Sequence, residues 1–216
     1  MKLAKGSKSF ILSALTPAVI FFILGFIFIN FISGFVLILL SVCLFILTCF
    51  FIIFFRDPDR EIGKDFIASA DGKIRDIYDI DDKDIGNSIC ISTFMNIQNV
   101  HVNRLSYDGK IEKIDHIYGT HLPAFKKESE KNERTIIIVD SDIGRYKIIQ
   151  IAGTLARRIV TYVKKGDIVK KGDRIGMIRL GSRVDLYIPK NPKFDVCVKI
   201  GDKIKAGESR LAKINA

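Results

Sequence analysis

The chain has 216 residues and a formal net charge of +10, and its charges are unevenly distributed. Residues 9–55 contain no charged side chain, so the basic balance lies entirely outside them, and most of it is in residues 56–216, which have the size of one domain. The sequence has no Trp and no run of interleaved aromatic residues and Arg, which argues against nucleic acid as the partner. Its four cysteines form no C-x-x-C or Cys/His cluster, so we predict neither a zinc site nor a disulfide framework.

The uncharged block is long enough for two membrane-spanning helices, which we predict at about Phe10–Ile29 and Phe35–Phe55. Lysines precede the block and arginines follow it. The positive-inside rule therefore predicts a hairpin with both termini in the cytoplasm. A signal peptide would be much shorter and would end in a cleavage motif. We expect residues 1–55 to be a membrane anchor and residues 56–216 to be a cytoplasmic domain beside an anionic membrane surface.

The second part of the chain has the pattern of a β-rich domain. After a charged turn at residues 56–60, short alternating segments are separated by Gly and Asp turns, and a βαβ pattern is absent. We predict a long polar loop at residues 120–134 and a short helix at residues 154–157. Within residues 68–77 we predict a turn at Asp71-Gly72 that opens a strand. The further predicted strands are 87–94, 99–104, 110–117, 135–141, 146–153 and 158–162.

A Gly-Asp unit recurs near the end of the chain. Residues 163–173 read V-K-K-G-D-I-V-K-K-G-D, and residues 198–208 read V-K-I-G-D-K-I-K-A-G-E. This pattern resembles the hairpins of the barrel-sandwich, biotinyl/lipoyl-like fold. The dipeptide Gly181-Ser182 lies between the two copies.

Gly181-Ser182 has an ordinary interpretation and a chemical one. Glycine within a strand pattern usually marks a bulge or a bend. Alternatively, the Ser182 hydroxyl attacks the carbonyl carbon of residue 181, and β-elimination of the resulting ester leaves a chain end that hydrolyses to a pyruvoyl group. The dipeptide alone favours the bend.

The wider motif set reverses that preference. In order, the chain contains F-F-R-D-P, A-D-G, N-V-H-V-N-R, N-E-R, A-G-T-L-A-R-R-I, K-G-D-R-I-G and G-S-R-V-D. From residue 54 to residue 189 it resembles the short-form phosphatidylserine decarboxylase proenzymes, including archaeal members that act on archaetidylserine.

The resemblance implies self-cleavage between Gly181 and Ser182, giving a large chain of residues 1–181 and a small chain of residues 182–216. Ser182 would become a pyruvoyl group whose ketone forms a Schiff base with the substrate amine, without pyridoxal phosphate or a metal. His101 lies at the position of the family's general base and acid, and Asp71 lies at the position of the residue that orients this histidine. Taken singly, His101 could equally be a packed strand histidine and Asp71 a turn residue.

One departure concerns the histidines. Longer bacterial relatives have a second histidine in this region, where this chain has Arg104, so whether His101 serves both cleavage and decarboxylation stays open. Arg104 and Arg183 are candidates for binding the substrate, and a simple salt bridge is the competing role for Arg183. His121, in the polar loop, is a reserve candidate.

Two other functions compete with the decarboxylase. A membrane-tethered lipoyl-like carrier would need a modifiable lysine at the hairpin tip between the two repeat copies, in an M-K-M-like or D-K-A-like setting, and the segment there, G-S-R-V-D, has no such lysine. An export adaptor would need coiled-coil heptads between the copies, and these are also absent. A serine hydrolase would need a G-x-S-x-G elbow, which is also absent. The lipid, an archaeal ether lipid or a diacyl lipid, is not decided by the sequence, and a homodimer is the default expectation.

Overall fold

The computed structural model describes residues 2–120, 131–153, 159–179, 182–191 and 194–215. The chain divides into two compact units, Met1–Asp59 and Arg60–Ala216. The predicted loop at residues 120–134 lies largely outside the described residues, and so do the predicted helix at residues 154–157, His121 and Gly181.

The first unit contains the two predicted apolar helices, α1 (Lys8–Ile27) and α2 (Ile32–Phe54). Both are long and apolar enough to cross a membrane. They pack closely: a Cβ added to Gly25 would lie 2.7 Å from Ile38 Cγ1, and Ser41 Oγ donates to the Ala18 carbonyl at 2.8 Å. Small residues therefore bring the two backbones together, as they do in membrane helix pairs.

The segment that follows α2 differs from the prediction of a charged turn. Two-residue strands β1 (Lys2–Leu3) and β2 (Arg56–Asp57) pair antiparallel. Lys2 Nζ also donates to Asp59 Oδ1 at 3.0 Å. The backbone continues into a strand because the chain before α1 offers it hydrogen-bond partners, which local sequence cannot reveal. The two ends of the helix pair therefore lie together.

The second unit is mainly β, as predicted, and its described residues contain no α-helix. Its strands are β3 (Phe66–Ile67), β4 (Gly72–Asp82), β5 (Gly86–Met95), β6 (Val102–Arg104), β7 (Gly109–Ile117), β8 (Arg134–Asp140), β9 (Tyr146–Ala152), β10 (Ile159–Thr161), β11 (Ile168–Val169), β12 (Arg174–Ile178), β13 (Ser182–Pro189), β14 (Phe194–Val196), β15 (Lys203–Ile204) and β16 (Arg210–Ile214). In the described part of this unit they form three sheets, whose strand orders are β10-β12-β6, β11-β7-β8-β9-β13-β5-β4-β15 and β14-β16-β3.

Strand β13 lies inside the eight-stranded sheet, between β5 and β9. One face of the sheet packs on the main core, to which β13 contributes Val184, Leu186 and Ile188. The opposite face carries a smaller cluster that includes Cys90 and Tyr187. Alternation along a strand therefore assigns each residue of β13 to one of two chemically different faces.

The repeated Gly-Asp unit forms the same turn at each copy. Gly166, Gly172, Gly201 and Gly207 all have positive φ, between 84° and 100°. Each glycine amide donates to the carbonyl of an earlier segment, at Ile111, Leu105, Ile74 and Ala68 respectively. In the first three turns the aspartate carboxylate accepts the amide three residues before it, and in the fourth Ser209 Oγ accepts the Lys205 amide instead. The sequence echo is thus a structural repeat that attaches four turns to four earlier segments.

Candidate active site

Ser182 begins β13, and its side chain is on the core face. Its direct neighbours across the strands are Met95 on β5 and Ala152 on β9, and both belong to the main core. The residue is fully buried, and its Oγ has no hydrogen-bond partner within the described parts of the chain. A buried hydroxyl left without a partner costs about 1–3 kcal/mol. Such a group in the core is a candidate for chemistry, because neither packing nor stability accounts for it.

His101 immediately precedes β6 and is fully buried. Its Nδ1 lies 2.9 Å from the Asn99 carbonyl oxygen, which can only accept, so Nδ1 carries the proton. In the neutral ring Nε2 then holds the lone pair and can take up a proton. The His101 carbonyl accepts the amide of Ile178 at 3.3 Å. Because Ile178 ends β12, His101 lies beside the end of that strand.

Asp71 lies just before β4 and is buried, and its described partners differ from those of His101. Its Oδ2 accepts from Arg60 Nη2 at 2.9 Å, and its Oδ1 accepts the Ala206 amide at 2.8 Å. The carboxylate therefore joins two loops of the second unit, whereas the ring of His101 is oriented by the Asn99 carbonyl. The Asp71 segment still borders β6, because the Arg104 amide donates to the Ser69 carbonyl at 2.9 Å.

Arg104, at the end of β6, is buried. Its Nη1 donates to the Gly172 carbonyl at 2.8 Å. Its side chain also passes the Gly207 turn, where an added Cβ would lie 2.9 Å from Arg104 Cδ. Arg104 thus connects two of the four repeated turns.

Arg183 is on the opposite face of β13 from Ser182. Its Nη2 lies 2.9 Å from Asp185 Oδ2, and Ser92 Oγ donates to Asp185 Oδ1 at 2.6 Å. Burial raises the pKa of Asp185, although the neighbouring Arg183 opposes the shift. A cavity of about 370 Å³ adjoins this pair and is also lined by Lys131 and Arg134. Three cationic side chains and one carboxylate give this cavity a positive balance.

Two buried amide side chains complete the surroundings of Ser182, and the motif search did not identify either as a candidate. Gln150 Nε2 donates to Asn103 Oδ1 at 2.7 Å, and Asn103 Nδ2 lies 3.8 Å from Met95 Sδ. The alternation of N-V-H-V-N-R does place Asn103 on the same strand face as His101. Gln150, in contrast, lies in a sequence run without any distinctive motif, so only the strand pairing brings it to the site.

The residues described contain no group of three or more His, Cys, Asp or Glu side chains arranged to hold a metal ion. Cys90 and Cys197, both in the second unit, are free thiols. Burial raises the pKa of Cys90 to about 12, so this thiol stays protonated at neutral pH.

Comparison with known proteins identifies the family. Residues 47–212 match the family described as phosphatidylserine decarboxylase. A protein of Methanosarcina mazei named as an archaetidylserine decarboxylase proenzyme is 42% identical over 98% of this chain and 97% of its own length. One of Methanococcoides burtonii with the same name is 46% identical over 77% of this chain and 76% of its own length. A phosphatidylserine decarboxylase proenzyme of Streptomyces avermitilis is 46% identical over 73% of this chain and 71% of its own length. The chain therefore belongs to the phosphatidylserine decarboxylase family.

Proposed function

We propose that this chain removes the carboxylate of a serine phospholipid headgroup, after its own Ser182 has been converted into a pyruvoyl group. The observation that carries the proposal is the buried Ser182 Oγ, which lacks a hydrogen-bond partner among the described residues. Its relatives are named as decarboxylase proenzymes, a name that itself implies processing. A pyruvoyl group supplies a ketone that can accept the electron pair left behind when CO2 departs.

Self-cleavage requires a nucleophile and a base, which we assign to Ser182 and His101. Ser182 Oγ attacks the carbonyl carbon of Gly181 while His101 Nε2 takes the hydroxyl proton. The new C–O bond replaces the C–N bond, whose nitrogen gains a proton and becomes the amino group of residue 182. Loss of the Ser182 Cα proton then breaks the Cβ–Oγ bond and releases residue 181 as a carboxylate. Tautomerisation and hydrolysis of the resulting enamine release ammonia.

Asp71 enters the proposal as a positioning residue. Its bonds to Arg60 and the Ala206 amide hold the segment that borders β6, and β6 follows His101 directly. Asp71 thereby supports the position of His101 through the backbone, and a direct contact with the ring is not required. His101 is also our candidate for handling the proton that the substrate carbon gains after CO2 leaves.

For substrate binding, we favour Arg183 over Arg104. Arg183 lines the basic cavity with Lys131 and Arg134, so a phosphate or carboxylate would meet several cations there. Arg104 is not among the residues that line this cavity, and its guanidinium donates to the Gly172 carbonyl, which argues for a structural role. Arg183 directly follows Ser182 in the chain, although its side chain lies on the opposite face of β13.

We also propose how the chain is placed at the membrane. We place α1 and α2 across the membrane as a hairpin, with both termini and the β domain on the cytoplasmic side. Such an anchor would let a headgroup enter the site without full extraction of the lipid. The repeated turns support a lipoyl-like hairpin arrangement for residues 163–208, and a homodimer is the expected assembly.

The test is an assay of the full chain in detergent micelles containing either phosphatidylserine or archaetidylserine. We expect CO2 and the matching ethanolamine lipid from at least one substrate, and the preferred lipid identifies the substrate type. Ser182→Ala should fall to background because no pyruvoyl group can form. Ser88→Ala, which alters another buried serine, is the matched control and should remain active. A Ser182→Ala chain that still decarboxylates would exclude the mechanism.

A further inference from the structure

The Asn103–Gln150 pair lies beside Ser182 on the core side of the sheet. Gln150 is directly opposite Val184 on β13, two residues along from Ser182. Tyr146, Ile148 and Ala152 of the same strand belong to the main core, so alternation places Gln150 on the face that carries Ser182. Diagonal neighbours of this kind are about 7–8 Å apart, within reach of a long side chain.

Gly176 leaves space for the amide of Gln150. Both amide side chains are fully buried. An ideal Cβ at Gly176 would lie 3.0 Å from Gln150 Nε2 and 3.2 Å from Oε1, so any larger residue would press on the amide. Gln150 Oε1 has no hydrogen-bond partner among the residues described. Burying amides in an apolar core costs free energy where their polar atoms lack hydrogen bonds, so the single bond within this pair leaves part of that cost uncompensated.

The hydrogen bond from Gln150 fixes which way the Asn103 amide faces. Because Asn103 Oδ1 accepts from Gln150 Nε2, the donor group Nδ2 must face the other side, toward Met95. The reverse orientation would bring the amide oxygen against the thioether sulfur, and neither of these atoms can donate. Met95 is directly opposite Ser182 on β5. A strong donor is thus directed toward the neighbourhood of Ser182, where its described acceptor is only a weak one.

We propose that Asn103 is a catalytic residue of self-cleavage: its Nδ2 stabilises the oxyanion that forms when Ser182 Oγ attacks, and Gln150 holds it in position. The inference rests on the proposed function. In the attack, the carbonyl π electrons of residue 181 move onto its oxygen while the proton of Ser182 passes to His101. Collapse of this oxyanion expels the nitrogen of residue 182. A preorganised amide donor lowers the energy of this step because it requires no reorganisation when the charge develops.

The experiment follows cleavage of the full chain after cell-free synthesis in detergent, by gel and by intact mass over time. Asn103→Leu keeps the side-chain size and removes the donor, so it should slow cleavage by about 10²- to 10³-fold. Gln150→Leu should give a rate between those of wild type and Asn103→Leu, because the Asn103 donor remains but is no longer oriented. Tyr146→Phe is the matched control: it removes a buried polar group from the same strand face as Gln150 and should leave the rate unchanged.

A double substitution separates positioning from general loss of stability. If Gln150 acts only through Asn103, the double variant should cleave at the rate of Asn103→Leu alone, whereas independent effects would multiply. If the Asn103→Leu variant is cleaved at the wild-type rate, the inference is wrong. If that variant does not melt cooperatively, the Gln150→Leu variant is the test instead, and its cleavage at the wild-type rate would also overturn the inference. An uncut wild-type chain would instead overturn the proposed function itself.

Discussion

His101 owes its orientation to its own backbone surroundings. The bond from Nδ1 to the Asn99 carbonyl determines the tautomer, and the carbonyl of His101 ties it to the end of β12. These contacts direct the lone pair of Nε2 away from the Asn99 carbonyl. They are compatible with the base role that we propose for His101 in self-cleavage.

We expect His101→Ala to slow self-cleavage by about 10²- to 10⁴-fold, the usual contribution of general-base catalysis. His116→Ala is the matched control, because His116 contacts Thr135 and Glu133 on the β7–β8 side of the sheet. The measurement is the fraction of uncut chain on a denaturing gel at fixed times after synthesis. Equal rates for the two variants would remove His101 from the mechanism.

Single residues also show where sequence analysis reached its limit. The motifs identified Ser182 and His101 as candidates, and both side chains are fully buried. They also suggested that Asp71 orients His101, which stays a prediction; the contacts of Asp71 with Arg60 and the Ala206 amide were not predicted. Hydrogen-bond partners depend on which loops meet in space, and a local motif does not contain that information.

At the scale of elements, alternation predicted most long strands to within a few residues. The hairpin of β4 and β5 extends further than predicted, to Asp82 and Gly86. In this extension the two strands pair with each other, beyond the residues that pack on the main core. The pairing of β13 with β5 and β9 was not predictable, since register depends on contacts between distant segments. That register alone brings Gln150 to Ser182.

One ion pair connects the tip of this hairpin to β9. The side chains of Lys147 and Asp82 are only 4% and 10% exposed, and Lys147 Nζ donates to Asp82. Lys147 also lies 4.7 Å from the centre of the Tyr187 ring. Burial alone would raise the pKa of Asp82. The Lys147 hydrogen bond and the amides of Asp84 and Ile85 outweigh that effect and lower the pKa.

We predict that Asp82→Asn lowers the free energy of unfolding by about 1–3 kcal/mol at neutral pH, because Lys147 loses its main partner. A carboxylate whose pKa is lowered by folding stabilises the fold above its unfolded pKa, and this contribution disappears as the pH falls through the folded value. The difference between the variants should therefore shrink below about pH 4.

Denaturant unfolding in a Ser182→Ala background keeps a single chain for this comparison. Asp81→Asn, at the exposed neighbouring residue, is the control and should have little effect at any pH. A penalty for Asp82→Asn that stays constant down to pH 2 would contradict the assignment.

At the scale of the whole molecule, composition was the most informative feature of the sequence. The uncharged block predicted two apolar helices, and both are present with ends shifted by a few residues. The repeat indicated related turns at its glycines. In all four of these turns the glycine has a positive φ and its amide donates to the carbonyl of an earlier segment. Repetition and apolar length can be read directly from the sequence. Contacts depend on which distant segments pair, so they are harder to predict.

The most direct test of the account is the intact mass of the purified, folded protein under denaturing conditions. We predict two chains, residues 1–181 and residues 182–216, with the smaller one lighter than its sequence by one ammonia and resistant to stepwise degradation from its amino end. That result would establish the group on which the decarboxylation depends. A single uncut chain of full mass, from protein shown to be folded, would contradict it.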